Sequence, residues 1–461
     1  MSAKKDPKKL TEAERQERDA DRRERLVTSQ QGPKVLTLNL KEPDIFAAQR
    51  LNRESLDHCV KCTICETQCP VAAVTPLFSG PKYVGPQAER FRHGESVDHS
   101  LDYCSSCGIC TLSCPQGVQI AELNSMARAV MKADHMPIRD FLIGETVLMG
   151  KAMTPIAPIA NAALNNKPIR IVMEKMIGVH RNAPMPTAQS QSFVSWAKRH
   201  QPAKPATRGP VVFFHGCAGG YFEVQTSIHT VEVLEHLGYE VIIPTQGCCG
   251  LAQQSNGLFT QARKTVRKLC DQLRAAGKDL TIISSSGSCT GMLKHEAHEI
   301  MGVDDPALID VGSRIRETSE FLMELEDEGT LPHTFQRVDM TVPYHAPCQL
   351  KGQGMGMPAI RLLELIPGLK VVESGQACCG IAGTYGLKKE KYDVAQAVGQ
   401  ALFDMVVDTN PDLAVCDTET CRWQISKSTG VPTVHPISLV HRAYGLDKET
   451  SYTDKTIGRT T

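Results

Sequence analysis

The sequence predicts a protein of mixed α+β and α/β class, with an N-terminal helical domain followed by two duplicated α/β domains. Three observations lead to this prediction. A run of four closely spaced cysteines occurs twice in the first quarter of the chain. Three further motifs recur at an offset of about 130 residues, and each copy alternates short β-rich runs with helical stretches, as βαβ units do. The length of 461 residues is sufficient for several such domains.

Each N-terminal cysteine run has the spacing Cys-x2-Cys-x2-Cys-x3-Cys-Pro, and the two runs begin 45 residues apart. This spacing is typical of ferredoxin-like domains with two 4Fe-4S clusters, in which the fourth cysteine of each run binds the other cluster. Thiolate is a soft ligand that suits iron. The predicted ligand sets are Cys59, Cys62, Cys65 and Cys114 for the first cluster, and Cys104, Cys107, Cys110 and Cys69 for the second.

Zinc and disulfides explain these cysteines less well. Structural zinc modules usually place two short cysteine hooks around an intervening element. The chain begins with a charged stretch that lacks the apolar core of a signal peptide, so we expect a reducing cytoplasm and free thiols. A formal net charge of zero argues against a nucleic-acid partner. We see no run of about 20 apolar residues, so we expect no transmembrane helix and at most peripheral contact with a membrane.

Changes in composition and motif divide the chain into five predicted segments. They are a charged N-terminal tail (1–50), the two-cluster ferredoxin-like domain (51–135), an apolar helical connector and linker (136–209), a first Cys-Cys-Gly repeat (210–335) and a second Cys-Cys-Gly repeat (336–461). The start of the tail alternates acidic and basic residues, which is typical of a solvated tail or an exposed helix.

The connector contains one amphipathic pattern. Its apolar residues fall at helical spacing on one face: Ile169, Val172, Met173, Met176 and Ile177. Such a face usually docks on the protein's own core or on a partner, which is our expectation here. An interfacial membrane helix is the alternative.

The second half of the chain repeats itself. The segment from Val211 to Cys217 resembles the segment from Thr341 to Cys348, and the offset between His215 and His345 is 130 residues. The Cys-Cys-Gly motifs have the same offset. The alternation of β-rich and helical runs predicts a parallel sheet in each copy, and residues that follow the strands of such a sheet meet at its carboxyl edge.

Each repeat supplies one early cysteine, a vicinal pair and one late cysteine. Four thiolates form a complete ligand set for a 4Fe-4S cluster. Both vicinal cysteines can face one centre only if the backbone turns, which Gly250 and Gly380 permit. The predicted metal ligands are Cys217, Cys248, Cys249 and Cys289 in the first repeat, and Cys348, Cys378, Cys379 and Cys421 in the second, with Cys416 as a further candidate. Buried apolar cysteines, a redox-active vicinal pair and a structural zinc site remain alternatives.

Other residues give weaker signals. His215 and His345 could orient a thiolate or shuttle a proton, but we expect each to be a strand-end histidine that is hydrogen-bonded to backbone. Cys270 has no counterpart in the other repeat and is interpreted as a core or surface thiol. No phosphate loop, flavin fingerprint or nucleophilic triad is visible. We therefore assign no catalytic residue and expect substrate chemistry on another subunit.

With these motifs in place, the chain resembles the family formed by the C subunits of anaerobic glycerol-3-phosphate dehydrogenase, within the wider group of heterodisulfide-reductase-like iron-sulfur subunits. The most specific stretches run from Cys378 to Tyr392 and from Glu419 to Ile425. The resemblance implies an electron-transfer subunit. It would accept electrons from flavin-containing dehydrogenase subunits that oxidise glycerol 3-phosphate, and deliver them to a quinone, menaquinone in anaerobic respiration, at the cytoplasmic face of the membrane.

Related subunits imply two alternatives, a complex that oxidises lactate or glycolate and a disulfide reductase. The chain also departs from the wider group. That group ends a Cys-Cys-Gly domain with Cys-x-x-Cys, whereas Ser286 and Thr418 stand at the first of these positions here. Cys416 could substitute from two residues upstream of Thr418. The departure argues against the five-thiolate, disulfide-cleaving cluster of the heterodisulfide reductases.

Overall fold

The computed structural model describes residues 11–27, 35–39, 54–88 and 98–448. Parts of the predicted N-terminal tail and the end of the predicted second repeat lie outside the described residues. In the part of the chain that is described, ten strands form three sheets. The strands are β1 (Thr37–Leu38), β2 (Met136–Pro137), β3 (Pro210–Phe214), β4 (Glu240–Ile242), β5 (Ile282–Ser284), β6 (Ile315–Glu317), β7 (Met340–His345), β8 (Leu369–Glu373), β9 (Ala414–Cys416) and β10 (Thr433–Val434).

Each repeat has its own four-stranded parallel sheet. The strand order is β4-β3-β5-β6 in the first repeat and β8-β7-β9-β10 in the second. The first strand of each repeat thus lies second from the edge, and corresponding strands occupy corresponding positions. The predicted duplication and the predicted parallel sheets are therefore confirmed in the topology.

The central strands are buried on both faces because helices cover both sides of each sheet. Residues 211 to 214 of β3 form a continuous apolar run that is fully buried, as expected for a parallel strand between two helical layers. Strands β6 and β10 were not predicted. They contain three and two residues, too few for a recognisable pattern.

Helices supply most of the remaining structure. In the N-terminal part the α-helices are Glu12–Val27, Ile64–Thr67, Ile109–Leu112, Ile120–Ala133, Ile138–Gly144, Thr146–Met153, Ala157–Asn165, Lys167–Ile177 and Phe193–Ala197. In the first repeat they are Gly216–Tyr221, Val224–His236, Leu251–Ser255, Phe259–Ala276, Gly287–Gly291, Ala297–Glu299, Pro306–Arg314 and Thr318–Asp327. In the second repeat they are Cys348–Lys351, Pro358–Glu364, Tyr392–Asp408, Glu419–Thr429 and Pro436–Ala443.

The two repeats share one apolar core. Phe213 and Ile283 from the first sheet belong to the same buried cluster as Tyr344 and Val415 from the second. The ferredoxin-like domain contacts both repeats. Its helix Ile120–Ala133 packs into the core of the first repeat, while buried residues around Cys69 and Cys104 pack with Tyr385 and Val394 of the second.

The N-terminal helix Glu12–Val27 lies against the helix Tyr392–Asp408 of the second repeat. Arg15 pairs with Asp408 at 2.6 Å, and Arg18 pairs with Asp404 at 3.2 Å. The charged sequence thus forms a helix whose arginines are paired with carboxylates almost 400 residues away.

The amphipathic face of Lys167–Ile177 does not dock on the protein's own core, so this half of the expectation is wrong, while docking on a partner stays a prediction. Val172 is 52% exposed and Met176 is 69% exposed, while Arg170 and Glu174 are buried. The polar face lies inward because its side chains form hydrogen bonds with the loop that follows the helix. The Arg170 guanidinium donates to the carbonyls of His180 at 2.7 Å and Ala183 at 2.9 Å.

The apolar surface continues on the preceding helices. Thr146–Asn165 contains 20 residues and is long and apolar enough to cross a membrane by length and composition alone, and only 11% of an 18-residue window within it is buried. The sequence analysis predicted no such stretch. Pro155 lies in a 3-10 turn that separates the two helices of this stretch. We call residues 146–177 the apolar arm.

Candidate iron-sulfur centres

The two ferredoxin-type loops have the same backbone form. In the first loop Lys61 has φ +60° and Thr63 has φ +70°; in the second, Ser106 has φ +54° and Gly108 has φ +80°. These residues flank the second cysteine of each run, Cys62 and Cys107. Three of the four are not glycine, so the left-handed backbone costs energy that the rest of the loop must offset. A left-handed residue on each side of the middle cysteine changes the direction of the chain twice, which lets three closely spaced cysteines face a common point.

Electrostatic contacts show which thiols lie near one another. Burial, followed by the charges of Glu66, Cys114, Cys59 and Cys62, raises the pKa of Cys65 to about 11. These three cysteines are the ones that the spacing groups with Cys65. The grouping as a ligand set remains a prediction.

The second loop has the corresponding neighbours. Burial, followed by charges at Cys107, Cys104, Glu122 and Cys69, raises the pKa of Cys110 well above its usual value. Cys69, the distant fourth cysteine, thus lies near the second run. Thiols with raised pKa values become thiolates when a bound metal ion supplies the compensating positive charge.

Buried cations surround the second loop. Arg128 donates to the carbonyl oxygen of Cys104, and Lys391 lies 3.7 Å from the centre of the Tyr103 ring. These residues belong to a larger group of five cations and three carboxylates, partly buried as a whole: Arg128, Lys132, Arg139, Lys388, Lys391, Asp102, Asp140 and Glu390.

Four thiols converge at the carboxyl edge of the first sheet. Cys248 Sγ lies 3.6 Å from Cys217 Sγ, and Cys249 Sγ lies 3.1 Å from Cys289 Sγ. Gly250 has φ +82°, and its N–H donates to Cys248 Sγ at 3.4 Å. The left-handed glycine turns the chain directly after the vicinal pair, so both sulfurs can face the same centre.

The second sheet has the same arrangement with one more thiol. Cys379 Sγ lies 3.0 Å from Cys421 Sγ. Gly380 has φ +85°, and its N–H donates to Cys378 Sγ at 3.2 Å. Cys378 is hydrogen-bonded to Cys348, and Cys421 is hydrogen-bonded to Cys416. The additional thiol, Cys416, ends β9, where the first repeat has Ser284.

Each vicinal pair contains one favoured thiolate. Hydrogen bonds with Cys217 and Cys249 hold the pKa of Cys248 well below its usual value. Hydrogen bonds with Cys348 and Cys379 do the same for Cys378. Cys270, in contrast, is buried in the core away from these groups, and burial raises its pKa to about 12.

The donor sets of both repeats fit a metal centre. The Sγ–Sγ distances of 3.0 to 3.6 Å are slightly shorter than the roughly 3.8 Å between two thiolates on one tetrahedral ion with bonds of about 2.3 Å. A cluster of several irons spaces its thiolates further apart, so it would require a larger outward movement. All eighteen cysteines are free of disulfides, as metal ligation requires.

The ferredoxin-type thiols adjoin the second repeat. The pKa of Cys107 is raised by burial first and then by the charge of Cys378. Cys107 in turn contributes to the raised pKa of Cys348, after the hydrogen bond with Cys378 and burial. The second loop and the second Cys-Cys-Gly centre are therefore electrostatic neighbours.

Residues close to the two Cys-Cys-Gly centres meet at the contact between the repeats. Gln353 Nε2 donates to the carbonyl of Gly287 at 2.8 Å, and Ser288 Oγ lies 3.2 Å from Thr418 Oγ1. Ser286 caps the helix that contains Cys289, accepting its N–H at 3.4 Å. Ser286 and Thr418 thus have packing and capping contacts at the positions where the wider group has cysteine.

The first repeat's centre borders the apolar arm. Thr146 Oγ1 donates to Cys248 Sγ at 3.6 Å. Tyr221 packs against Gly150 so closely that a Cβ there would overlap its ring. Sequence reasoning did not find Thr146, because nothing in the local pattern links it to a cysteine about 100 residues later.

The two strand-end histidines differ from each other. His215 Nδ1 lies 2.6 Å from the Gly216 carbonyl, the backbone contact that was expected. His345 Nδ1 lies 3.2 Å from a side chain, Ser374 Oγ. Burial lowers the pKa of each to about 4, so both are neutral at pH 7.

One further buried group joins the repeats. Glu317, Asp417 and His435 place ligand-type atoms within 4.8 Å of one another. His435 Nδ1 accepts the N–H of Ile437 at 3.1 Å, so Nε2 carries the proton and faces Glu317 Oε1 at 3.4 Å. A protonated Nε2 is not a metal ligand. We interpret the group as a buried polar contact between the sheets, in which Tyr344 Oη donates to Asp417 Oδ2 at 2.6 Å.

Comparisons with known proteins agree with this architecture. Residues 55–118 match the 4Fe-4S dicluster domain family, and residues 211–294 and 342–426 match the cysteine-rich domain family. The dicluster domain implies two 4Fe-4S clusters. The molecule is therefore an iron-sulfur protein with one dicluster domain and two cysteine-rich domains, a class whose domains imply electron transfer.

Over 399 residues the chain is 37% identical to the C subunit of anaerobic glycerol-3-phosphate dehydrogenase from Escherichia coli, covering 85% of this chain and all of that protein. The chain belongs to the family formed by these C subunits of anaerobic glycerol-3-phosphate dehydrogenase. Membership in a family of C subunits implies other subunits.

More distant relatives match smaller parts of the chain. Lactate utilization protein A of Oceanobacillus iheyensis is 31% identical over 39% of this chain and 73% of its own length. The D subunit of the dihydromethanophenazine:CoB–CoM heterodisulfide reductase of Methanosarcina acetivorans is 26% identical over 60% of this chain and 68% of its own length.

Proposed function

We propose that the chain is the electron-transfer subunit of a membrane-associated complex that oxidises glycerol 3-phosphate, and that it passes electrons from a flavin subunit to a quinone. The observation that supports this most directly is the series of adjoining thiol groups. The ferredoxin-type loops adjoin the second repeat through Cys107 and Cys378, the second repeat packs on the first, and the first contacts the apolar arm.

The electron balance of the proposed reaction is simple. Oxidation of glycerol 3-phosphate to dihydroxyacetone phosphate releases two electrons and two protons at the flavin subunit. Reduction of a quinone to a quinol takes up two electrons and two protons. The chain needs only to accept and pass on electrons singly, so it requires no catalytic residue of its own.

The proposed ligands are the eight ferredoxin-type cysteines for two clusters and the cysteines of the two Cys-Cys-Gly repeats for further metal centres. The first test is the amount of iron, acid-labile sulfide and zinc per chain after anaerobic purification. About twelve to sixteen irons per chain would support clusters in the repeats. About eight irons would limit clusters to the dicluster domain and overturn the proposed path of electrons through the repeats.

The donor is tested by mixing the oxidised chain with its flavin-containing partner subunits. Glycerol 3-phosphate should then reduce the iron-sulfur chromophores, and added quinone should reoxidise them. Lactate with a lactate-oxidising partner is the matched comparison, because a lactate utilization protein is among the relatives. Reduction by lactate alone would reject the glycerol 3-phosphate assignment.

A disulfide reductase is the alternative from a different functional class. Cys248 and Cys378, whose pKa values lie well below the usual value, are the thiolates that would attack a disulfide. This alternative predicts that a disulfide substrate reoxidises the reduced chain at a catalytic rate. Reoxidation by quinone without any response to disulfides would reject it.

We further propose that the apolar arm lies on the membrane surface. Between Thr146 and Met173 the chain has no acidic residue, and Lys151 and Lys167 are exposed beside the apolar side chains. Exposed apolar residues together with basic ones suit an anionic lipid surface. Contacts from Thr146 and Gly150 to the first repeat hold the arm on the body of the protein, so it would lie along the surface rather than span it.

Charged substitutions test this surface. Ile159→Glu and Val172→Glu should each weaken co-sedimentation with phosphatidylglycerol vesicles by about tenfold or more, because burying such a side chain contributes about 1.5–3 kcal/mol. Ile309→Glu is the matched control, since Ile309 is also exposed but lies on a helix of the first repeat. Equal binding by all three variants would reject the arm as the membrane surface.

A further inference from the structure

His345 lies among the thiols of the second repeat. It is the last residue of β7 and pairs with Cys416, the last residue of β9. Residues paired across neighbouring strands point to the same face of a sheet. One ring nitrogen of His345 lies within 4.8 Å of both Cys379 Sγ and Cys421 Sγ, and the three residues are buried.

The hydrogen bonds of His345 leave one nitrogen free for a ligand. Nδ1 is 3.2 Å from Ser374 Oγ, which also accepts the N–H of Gln376 at 3.3 Å. A hydroxyl oxygen has two lone pairs, so Ser374 can accept the Nδ1 proton as well. Nε2 then presents a lone pair. It is fully buried and has no hydrogen-bond partner among the described residues.

This arrangement is typical of a metal-binding histidine. Such residues usually donate the second ring N–H to an oxygen of the protein, which fixes the tautomer and the orientation of the ring. Ser374 provides that oxygen here. A buried, unpartnered Nε2 without a metal would instead forfeit a hydrogen bond at a cost of about 1–3 kcal/mol.

The first repeat does not reproduce the arrangement. His215 leaves the strand and turns into the cap of the helix Gly216–Tyr221, with Gly216 at φ +62°. His345 stays in β7 because the second repeat has one more residue between histidine and cysteine, His-Ala-Pro-Cys in place of His-Gly-Cys. Nε2 of His215 is also buried and without a hydrogen-bond partner, but among the described residues it forms no comparable group with two thiols.

We propose that His345 Nε2 is a ligand of the metal centre in the second Cys-Cys-Gly domain, together with Cys379 and Cys421, whereas the centre of the first domain is held by thiolates alone. The inference rests on the proposed metal centres in the repeats. A neutral imidazole in place of a thiolate makes a centre less negative and raises its reduction potential, as in iron-sulfur centres with mixed ligands. The duplicated domains would thus hold electronically different centres.

The test is pulsed electron paramagnetic resonance of the full chain, with and without 15N-labelled histidine. A directly bound imidazole nitrogen should give a hyperfine coupling that changes with the isotope. The coupling should be absent in His345→Ala and His345→Cys and unchanged in His215→Ala. If the second centre holds zinc, X-ray absorption should show one nitrogen at about 2.0–2.1 Å beside sulfur at about 2.3 Å, and His345→Ala should lose that nitrogen.

His345→Cys is the control that distinguishes loss of a ligand from failure to fold. It should retain the metal content of the second centre and lower its potential, since it supplies a thiolate. Intact ferredoxin-type signals in every variant would show that the chain has folded. Iron in the second domain without any histidine nitrogen would overturn this inference and leave the proposed function standing, whereas zinc there would overturn the proposed electron path because zinc carries no electrons. The absence of metal from that domain would overturn both.

Discussion

The two Cys-Cys-Gly domains have the same order of strands but different neighbours. The second domain borders the ferredoxin-type loop through Cys378 and Cys107, and it has a fifth thiol, Cys416. The first domain borders the apolar arm through Thr146 and has four thiols near its centre. The two copies thus have different surroundings, the ferredoxin-type loop beside the second and the apolar arm beside the first.

The difference suggests a division of roles within one chain. The centre of the second domain would receive electrons from the ferredoxin-type clusters, and the centre of the first would release them near the membrane. Because the domains share a fold, substitutions at corresponding positions are matched pairs, and each pair can test whether the two centres differ as the structure indicates.

The largest expected effect concerns the order of electron flow. Cys378→Ala should prevent donor electrons from reaching either repeat, because it damages the centre beside Cys107. Cys248→Ala should leave the second centre reducible and abolish quinone reduction. Time-resolved reduction with the flavin partner would show which centres respond. If Cys378→Ala still allowed normal reduction of the first repeat, the proposed order would be wrong.

The glycines after the vicinal pairs should differ in their tolerance of a side chain. A Cβ on Gly380 would overlap the carbonyl oxygen of Ala395, whereas a Cβ on Gly250 would lie 3.1 Å from the carbonyl oxygen of Ala262. Both glycines have left-handed backbones. Gly250→Ala should therefore cost about 1–2 kcal/mol, and Gly380→Ala about 4 kcal/mol or more.

Chemical denaturation would measure the free energy of unfolding of both variants, and metal analysis would measure their iron content. Similar losses in both variants would mean that the close contact between Gly380 and the helix Tyr392–Asp408 relaxes at little cost. A Cβ on Gly399 of that helix would likewise overlap the carbonyl oxygen of Cys379, so the backbones are already close and we expect little room for relaxation.

A smaller effect should separate the potentials of the two centres. Thr146→Val removes the hydroxyl that donates to Cys248 Sγ while nearly preserving the shape of the side chain. A donated hydrogen bond favours the more negative reduced state, so its loss should lower the potential of the first centre. For a bond of about 0.5–1.5 kcal/mol the one-electron shift is about 20–60 mV. Potentiometric titration should find the second centre unchanged; an equal shift in both would contradict the assignment.

The smallest effect is expected at the thiol that belongs to neither centre. Cys270→Ala should leave the iron and zinc content unchanged and should destabilise the first repeat by about 1 kcal/mol, the cost of a small cavity. Thermal unfolding and metal analysis would measure both quantities. Loss of metal in this variant would show that the centre of the first repeat reaches further into the core than its sulfur contacts indicate.

The cysteine motifs could be predicted from sequence because their chemistry is local. The spacing of each ferredoxin-type run constrains its thiols within eleven residues, and the family comparison then confirmed the class. The convergence of the Cys-Cys-Gly thiols could be anticipated from strand order, since residues such as Cys289 and Cys421 follow strands of one parallel sheet in each repeat.

What escaped prediction depends on tertiary contacts. The helix Lys167–Ile177 has an ordinary amphipathic pattern, yet its charged face lies inward because Arg170 donates hydrogen bonds to carbonyls of the loop at residues 180–183. The contrast between His215 and His345 arises from a single additional residue after the strand, which changes where the strand ends. A periodic pattern specifies a face but not what will cover it.

The pairing of the N-terminal helix with the helix Tyr392–Asp408 has a consequence for the order of events at the ribosome. Arg15 and Asp408 are 393 residues apart, so at about 5–20 residues per second the first helix waits roughly 20–80 s for its partner to be made. During that interval the ferredoxin-type loops have already been synthesised, while the second repeat that packs against them has not. The side of the second loop that adjoins Cys378 in the finished protein is therefore still uncovered at that stage.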